Sequence, residues 1–101
     1  MKIQWTSKAS ADLVRLHAFL EPIAPDLAAR IVQQLARAPD RLLEFPRIGE
    51  RLDAFMAREV RRIFVGNYEM RYEIAQGAVI VLRLWHSRED RNPINETQRA
   101  A

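Results

Sequence analysis

Apolar residues recur every three or four positions through the first half of the chain, a pattern that predicts two amphipathic helices. A short alternating segment at residues 3–5 precedes them and predicts a first strand. Ser7 is the expected N-cap of the first helix, and Asp12 suits the positive end of its dipole. The apolar stripe of this helix consists of Leu13, Leu16, Phe19, Leu20 and Ile23.

Prolines set the limits of the second helix. Pro22 and Pro25 interrupt the first helix, and Pro25 followed by Asp26 is typical of the first turn of a new one. Pro39 has no backbone N–H to donate, so we expect a kink or a break there. The two helices together predict a helical hairpin. The second apolar stripe consists of Leu27, Ala28, Ile31, Leu35, Ala38 and Leu42.

The second half of the chain changes to a two-residue period, which predicts a meander of three strands joined by tight turns. Residues 45–49 carry a turn signal, and residues 50–57 are expected to form a loop or a short helix. The expected strands cover residues 58–65, 67–74 and 78–86, with turns at Gly66-Asn67 and Gln76-Gly77.

Strict alternation assigns each side chain of the last two strands to one of two faces. Arg71 and Arg83 are both expected on the face that points away from the helices. In the middle strand, Tyr68, Met70, Tyr72 and Ile74 form the apolar face, and Glu69, Arg71 and Glu73 form the other. In the last strand, Ala78, Ile80, Leu82, Leu84 and His86 share one face, and Val79, Val81, Arg83 and Trp85 share the opposite one.

These elements predict an α+β fold in the order β-α-α-β-β-β, a small antiparallel sheet packed on a helical hairpin. The chain has 101 residues, of which 49% are hydrophobic, so it suits one domain with a real core. We expect that domain to cover residues 1–91. Residues 92–101 are polar and lack periodicity, and they are expected to form a tail that is loose unless a partner holds it.

Composition excludes several classes of function. The chain has no cysteine, and its two histidines are not at ligand spacing, so we expect neither a metal site nor a cofactor. The N-terminus enters structure at once, which argues against a secretory signal. The apolar runs are far shorter than the ~20 residues that a membrane span requires. A cytoplasmic location is therefore expected.

The net charge is only +3, but the cations are almost all arginine. Lys2 and Lys8 are the only lysines, and arginine forks suit phosphate and carboxylate better than ammonium groups do. Arginines are densest in and just after the meander, where a concave face could grip phosphate or acidic side chains. Alternatively, they form cross-strand pairs with Glu59, Glu69 and Glu73. The candidate binding residues are Arg58, Arg61, Arg71, Arg83, Trp85, Arg88 and Arg91.

His86 ends the last strand beside this cluster and is the candidate acid–base residue. Asp90 or Glu89 is placed to orient it, or to pair with nearby arginines instead. A purely structural role for His86 remains the alternative. In an RNA-cleaving enzyme, the catalytic set would be His86, Arg83 and Arg88. Trp85 is the candidate for stacking on a base.

Four segments in a fixed order resemble the ParE/RelE superfamily of toxins from type II toxin–antitoxin modules. The resemblance covers residues 5–91, and the family fold agrees with the one predicted above. The segments are Trp5-Thr6-Ser7 with Ala11-Asp12-Leu13; Leu43-Glu44-Phe45-Pro46-Arg47-Ile48-Gly49; Arg58-Glu59-Val60 with Tyr68-Glu69-Met70-Arg71-Tyr72; and Val81-Leu82-Arg83-Leu84-Trp85-His86-Ser87-Arg88-Glu89-Asp90-Arg91.

The resemblance implies one of two targets. RelE-like members cleave mRNA on the ribosome and usually carry a C-terminal tyrosine, whereas ParE-like members poison DNA gyrase and lack that catalytic set. This chain has no tyrosine after Tyr72, and positions 92–95 read Asn-Pro-Ile-Asn. The ParE-like branch is therefore favoured. A third possibility is an inactive remnant that only binds antitoxin.

Both branches imply a cognate, ParD-like antitoxin. The resemblance predicts a small acidic partner whose flexible segment wraps the toxin in a hetero-oligomer. Its acidic side chains would meet the arginine-rich face, and its apolar anchors would enter hydrophobic grooves. DNA gyrase is the second expected partner.

Overall fold

The computed structural model describes residues 1–89, and its order of elements confirms the predicted α+β fold, a small sheet packed on a helical hairpin. The helices are α1 (Ser7–Leu20), α2 (Pro25–Arg37) and the short α3 (Asp40–Glu44). The strands are β1 (Lys2–Trp5), β2 (Glu50–Arg51), β3 (Glu59–Val65), β4 (Tyr68–Ala75) and β5 (Ala78–His86), and a 3₁₀ turn spans Asp53–Phe55.

The strands form one sheet in the order β1-β5-β4-β3-β2. β1 pairs with β5 in parallel, and the remaining pairs are antiparallel. The meander of β3, β4 and β5 was predicted with its two turns. β2 was not predicted, because two residues are too few to show a periodicity. Its pairing with β3 still widens the sheet at that edge.

The start of α1 corrects one prediction. Thr6, and not Ser7, is the N-cap, since the Thr6 hydroxyl accepts the Ala9 N–H at 3.0 Å. The same hydroxyl donates to the Leu82 carbonyl at 2.9 Å, so one side chain both caps the helix and ties it to β5. The predicted stripe is also too long at its C-terminal end. Phe19 is 72% exposed, and Ile23 lies in the turn after the helix ends.

The prolines set the limits of the second helix as predicted. Pro25 occupies the first turn of α2, and the helix ends at Arg37 before a new one begins at Asp40. Pro39 is the N-cap of α3 and causes that break, because it has no N–H to continue the ladder. Leu35 and Leu42 are fully buried, one on each side of the break.

The strict alternation predicted for the last strand is wrong. β5 pairs Arg83 with Arg71 and Val81 with Tyr72, so Leu82 is an extra residue with no partner on β4. Such a bulge reverses the facing of all residues before it. Val81 therefore faces the helices with Tyr72, while Arg83 faces away from them.

The core lies between the helices and the helix-facing side of the sheet. Leu16 and Leu35 pack there against Met70 and Leu84, which are opposite each other on adjacent strands. A second cluster joins Leu42 of α3 to Tyr72 and Val79. No helix within residues 1–89 is long and apolar enough to cross a membrane.

Candidate functional site

Three arginines form a row across the sheet on the face away from the helices. Arg62, Arg71 and Arg83 are paired opposite one another on β3, β4 and β5. Residues opposite one another in a ladder share a face, so the next row on this face holds Phe64, Glu69 and Trp85. The structure thus brings together Arg71, Arg83 and Trp85 among the predicted binding residues.

Trp85 is the centre of this face. The guanidinium carbons of Arg71 and Arg83 both lie 4.9 Å from a Trp85 ring centroid, and Arg71 also lies 5.6 Å from the Phe55 ring. These distances are those of cation–π contacts. Trp85 is only 4% exposed. Its role as a free stacking platform, which the sequence suggested, does not match this burial.

Carboxylates pair with the arginines of this row. Arg71 binds Glu69 at 3.3 Å, and Glu69 also lies 3.6 Å from Arg62. Glu69 is 2% exposed, so this is a buried charge within the sheet face. The predicted cross-strand pairing is therefore observed between Arg62 on β3 and Glu69 on β4, whereas Arg71 and Glu69 pair within the same strand. Glu69 is buried, unlike the glutamates on a solvated sheet face.

Arg83 pairs with a residue that the sequence analysis assigned to another role. Its guanidinium donates to both oxygens of Asp12, at 2.7 and 3.0 Å, and both residues are buried. Asp12 was expected to interact with the helix dipole. The signal for burial was present in the sequence, because Asp12 lies three residues after Ala9 and four before Leu16, both on the buried face of α1.

Asp12 also completes the edge of β5. Where β1 ends, the Leu84 N–H donates to Asp12 at 2.9 Å, and the Leu84 carbonyl accepts from Arg15 at 3.0 Å. These two side chains thus replace the backbone partners that a longer β1 would supply. Arg15 is a second residue that sequence reasoning missed, and it also binds Glu89.

The two arginines at the start of β3 have different surroundings. Arg58 makes a bidentate pair with Glu73, at 2.8 and 3.1 Å, and this hydrogen bonding raises the pKa of Arg58. Arg61 is opposite Tyr72, which places it on the helix-facing side and not in the arginine row. It binds Glu59 at 2.9 Å and the Gly49 carbonyl at 2.7 Å.

Glu59 links β3 to the turn at residues 45–49. It accepts from Arg47 at 2.9 Å as well as from Arg61. Hydrogen bonds from Arg47 first, and then from Arg61, lower the pKa of Glu59. Two guanidinium groups therefore stabilise the ionised form of this carboxylate.

His86 lies on the opposite face of β5 from Arg83. It is paired with Tyr68, and the two rings meet edge to face with centroids 5.1 Å apart. The His86 Nδ1 accepts the Arg88 N–H at 3.1 Å, so in the neutral imidazole the proton is on Nε2. The set proposed for RNA cleavage is thus divided between two faces of the strand.

His86 instead lines a mainly apolar groove of about 550 Å³. Burial, and then the nearby Glu89 charge, raises the pKa of Tyr68 in this groove. Glu89 accepts the His86 backbone N–H at 3.0 Å and does not orient the imidazole. Asp90 and Arg91 lie outside the described residues. The groove is lined by Arg15, Leu16, Phe19, Leu20, Tyr68, His86, Arg88 and Glu89.

Comparison with known proteins identifies a family. A family model described as the ParE toxin of the type II toxin–antitoxin system parDE matches residues 3–91. Toxin RelE2 of Caulobacter vibrioides is 34% identical over 86 residues, which are 85% of this chain and 94% of that protein. The family-model match includes the strand ending at His86 and the buried pair of Asp12 and Arg83.

Solved structures agree with the fold. A chain of the chromosomal ParDE system from P. aeruginosa superposes with a TM-score of 0.72, at 20% identity, over 85% of this chain and 95% of that one. A chain of the toxin–antitoxin complex RelBE2 from Mycobacterium tuberculosis has a TM-score of 0.52, at 23% identity, over 84% and 95% of the two chains. At these identities the likeness concerns the fold alone.

Proposed function

The chain is a toxin of the ParE/RelE superfamily of type II toxin–antitoxin systems, and we propose that it acts by poisoning DNA gyrase. Its activity on this account is that of a binding protein that blocks an enzyme. Growth arrest follows from trapped breaks in DNA.

One observation carries the proposal. Two of the three residues that would form an RNA-cleaving set, His86 and Arg83, have side chains on opposite faces of β5, and Arg83 is held by the buried carboxylate of Asp12. General acid–base catalysis requires its groups within hydrogen-bond reach of one substrate. The sequence also contains no tyrosine after Tyr72. Both features favour a binding protein over a nuclease.

We propose that a cognate antitoxin neutralises the chain. Support comes from the two structural neighbours, which are described as a ParDE system and a RelBE2 toxin–antitoxin complex. The groove beside His86 is mainly apolar and has arginines at residues 15 and 88, which suits an apolar anchor flanked by acidic side chains. A complex of toxin and antitoxin is the expected resting form.

Expression of the chain without antitoxin tests this function. We expect an SOS response and gyrase-linked DNA breaks, while mRNA on ribosomes stays intact. Co-expression of the antitoxin should abolish both effects. Cleavage of mRNA at ribosome-phased positions, with no DNA breaks, would contradict the proposal.

A ribosome-dependent nuclease is the second candidate, and one observation favours it. The hydrogen bond that Nδ1 of His86 accepts leaves the proton of the neutral imidazole on Nε2. Arg88 and Arg15 line the same groove as this imidazole. On this alternative, His86→Ala abolishes growth arrest. On the gyrase account, His86→Ala retains growth arrest.

A further inference from the structure

A second groove lies on the opposite side of the molecule from β1, between the helices and the outer edge of β3. Its volume is about 880 Å³. Gln34, Arg37 and Arg41 line it from the helices, and Arg62 and Phe64 line it from β3. We call it the edge groove. None of the residues predicted from sequence to bind a target lines it.

The edge groove has backbone groups with unused hydrogen-bonding capacity. β2 pairs with β3 only at Arg61 and Arg62, and the Leu52 N–H donates to the Val60 carbonyl at 2.8 Å. Alternate residues of a strand direct their N–H and C=O to the same edge, so Phe64 directs its own toward the groove. No strand of residues 1–89 lies beside Phe64, because the chain turns away at Ile48.

The charge of the edge groove is positive. Arg37 and Arg41 are exposed and form no ion pair with any residue in the range 1–89, in contrast to the arginines of the sheet row. Arg62 forms an ion pair with Glu50 at 3.1 Å. Three arginines and one glutamate thus line the groove. Unpaired cations of this kind favour an acidic ligand.

Apolar surface lies between these charges. Ile48 is 52% exposed and Phe64 is 57% exposed, and both line the edge groove. The Arg62 guanidinium lies 5.4 Å from the Phe64 ring and holds it at the sheet edge. Apolar side chains of an extended ligand would be buried here, while its acidic side chains reach Arg37 and Arg41.

We propose that the edge groove binds an extended acidic segment of the antitoxin, which adds a strand beside Phe64. This inference rests on the proposed function, since it requires an antitoxin, but it is independent of the gyrase target. A peptide supplies both a donor for the Phe64 carbonyl and an acceptor for its N–H. A phosphodiester backbone supplies acceptors only. A second copy of this chain would bring its own Arg37 and Arg41 against the first pair.

Two substitutions of Phe64 test the backbone contact. Phe64→Pro removes the side chain and the outward N–H, whereas Phe64→Ala removes the side chain alone. Proline is compatible with an edge strand where its nitrogen faces outward. In calorimetric titration with the full-length cognate antitoxin, we expect Phe64→Pro to raise Kd about fivefold beyond Phe64→Ala, the effect of one net hydrogen bond.

The charge contact is tested by Arg37→Glu with Arg41→Glu, which lie on the surface and should not disturb folding. Lys8→Glu with Arg51→Glu is the matched control, because it changes the net charge equally at exposed positions outside the groove. We expect the first pair to raise Kd at least tenfold above the control pair. Equal affinities for both pairs, with no difference between Phe64→Pro and Phe64→Ala, would overturn the inference.

Other occupants of the edge groove have distinct signatures. Binding of a single-stranded DNA 12-mer that is lost in the Arg37→Glu and Arg41→Glu variant, with antitoxin affinity intact, contradicts an antitoxin site. Loss of a toxin dimer in Phe64→Pro, again with intact antitoxin affinity, contradicts it as well. If the chain binds antitoxin through this groove but does not inhibit gyrase, the proposed gyrase target is wrong and the edge-groove inference stands. A wild-type chain that binds no antitoxin overturns the edge-groove inference and the proposed neutralisation by an antitoxin, but not the gyrase target.

Discussion

Asp12 and Arg83 are 71 positions apart in the sequence and form a bidentate, buried ion pair with distances of 2.7 and 3.0 Å. The pair joins α1 to β5 at the point where β1 ends. It also holds Arg83 beside Trp85, so the packing of the hairpin and the arrangement of the arginine row depend on the same contact.

Loss of this pair should destabilise the protein strongly. Asp12→Ala leaves Arg83 buried without its carboxylate and removes the acceptor of the Leu84 N–H. Breaking a buried pair by removing one partner costs about 3–5 kcal/mol in the free energy of unfolding. Urea denaturation measures this, with Asp26→Ala, an exposed aspartate in the first turn of α2, as the control. Similar losses in the two variants would contradict the assigned role of Asp12.

Gly49 should tolerate no side chain. A Cβ at this position would lie 2.6 Å from the Arg62 carbonyl oxygen and 2.6 Å from the Tyr72 hydroxyl. That hydroxyl accepts the Gly49 N–H at 3.1 Å and donates to the Pro46 carbonyl at 2.7 Å, which fixes the turn. We expect Gly49→Ala to cost about 1–3 kcal/mol of unfolding free energy through overpacking.

Gly66→Ala is the comparison for Gly49→Ala. Its Cβ would meet nothing within 4 Å, but its φ of +60° disfavours alanine. The two variants separate crowding from backbone strain when their thermal unfolding is compared. A Gly49→Ala variant as stable as the wild type would show that the turn can move away from Tyr72.

The stability of the protein should fall in acid partly because of Glu59. Its folded-state pKa is lowered by Arg47 and Arg61, so its contribution is complete above the unfolded value of about 4.3 and is lost as pH falls through the folded value. Glu59→Gln should therefore be less stable than the wild type at pH 7, and this difference should shrink below about pH 4.

Denaturant unfolding at several pH values measures this effect. Glu44→Gln is the control, since Glu44 is exposed at the end of α3 and pairs with no residue of 1–89. A constant difference between Glu59→Gln and the wild type from pH 7 to pH 3 would mean that the two guanidinium groups do not set the ionisation of Glu59.

Local signals predicted most of the fold. The limits of β5, Ala78–His86, agree with the predicted strand, because β-branched and aromatic residues end there at clear turn signals. The bulge at Leu82 has no such local signal. The bulge lies where the Thr6 backbone N–H donates to the Val81 carbonyl and the Thr6 hydroxyl donates to the Leu82 carbonyl, and these residues are distant in sequence.

The site was predicted less well for the same reason. Arginine density located the row on the sheet, but it did not indicate that Asp12 and Glu69 hold these side chains. Ion pairing is a long-range property of the fold. Arg37 and Arg41, which are among the cations of residues 1–89 that form no ion pair, lie on helices where charge is usually attributed to solvation. The contrast between the two groups of arginines became visible only in three dimensions.

The most direct test of the account is a cleavage assay with purified protein, DNA gyrase and supercoiled plasmid. We expect the wild-type chain to produce linear plasmid after denaturation of trapped gyrase, and an equimolar antitoxin to prevent it. His86→Ala should leave cleavage within about twofold of the wild type. Intact plasmid at all toxin concentrations, together with mRNA cleavage on purified ribosomes that requires His86, would contradict the account.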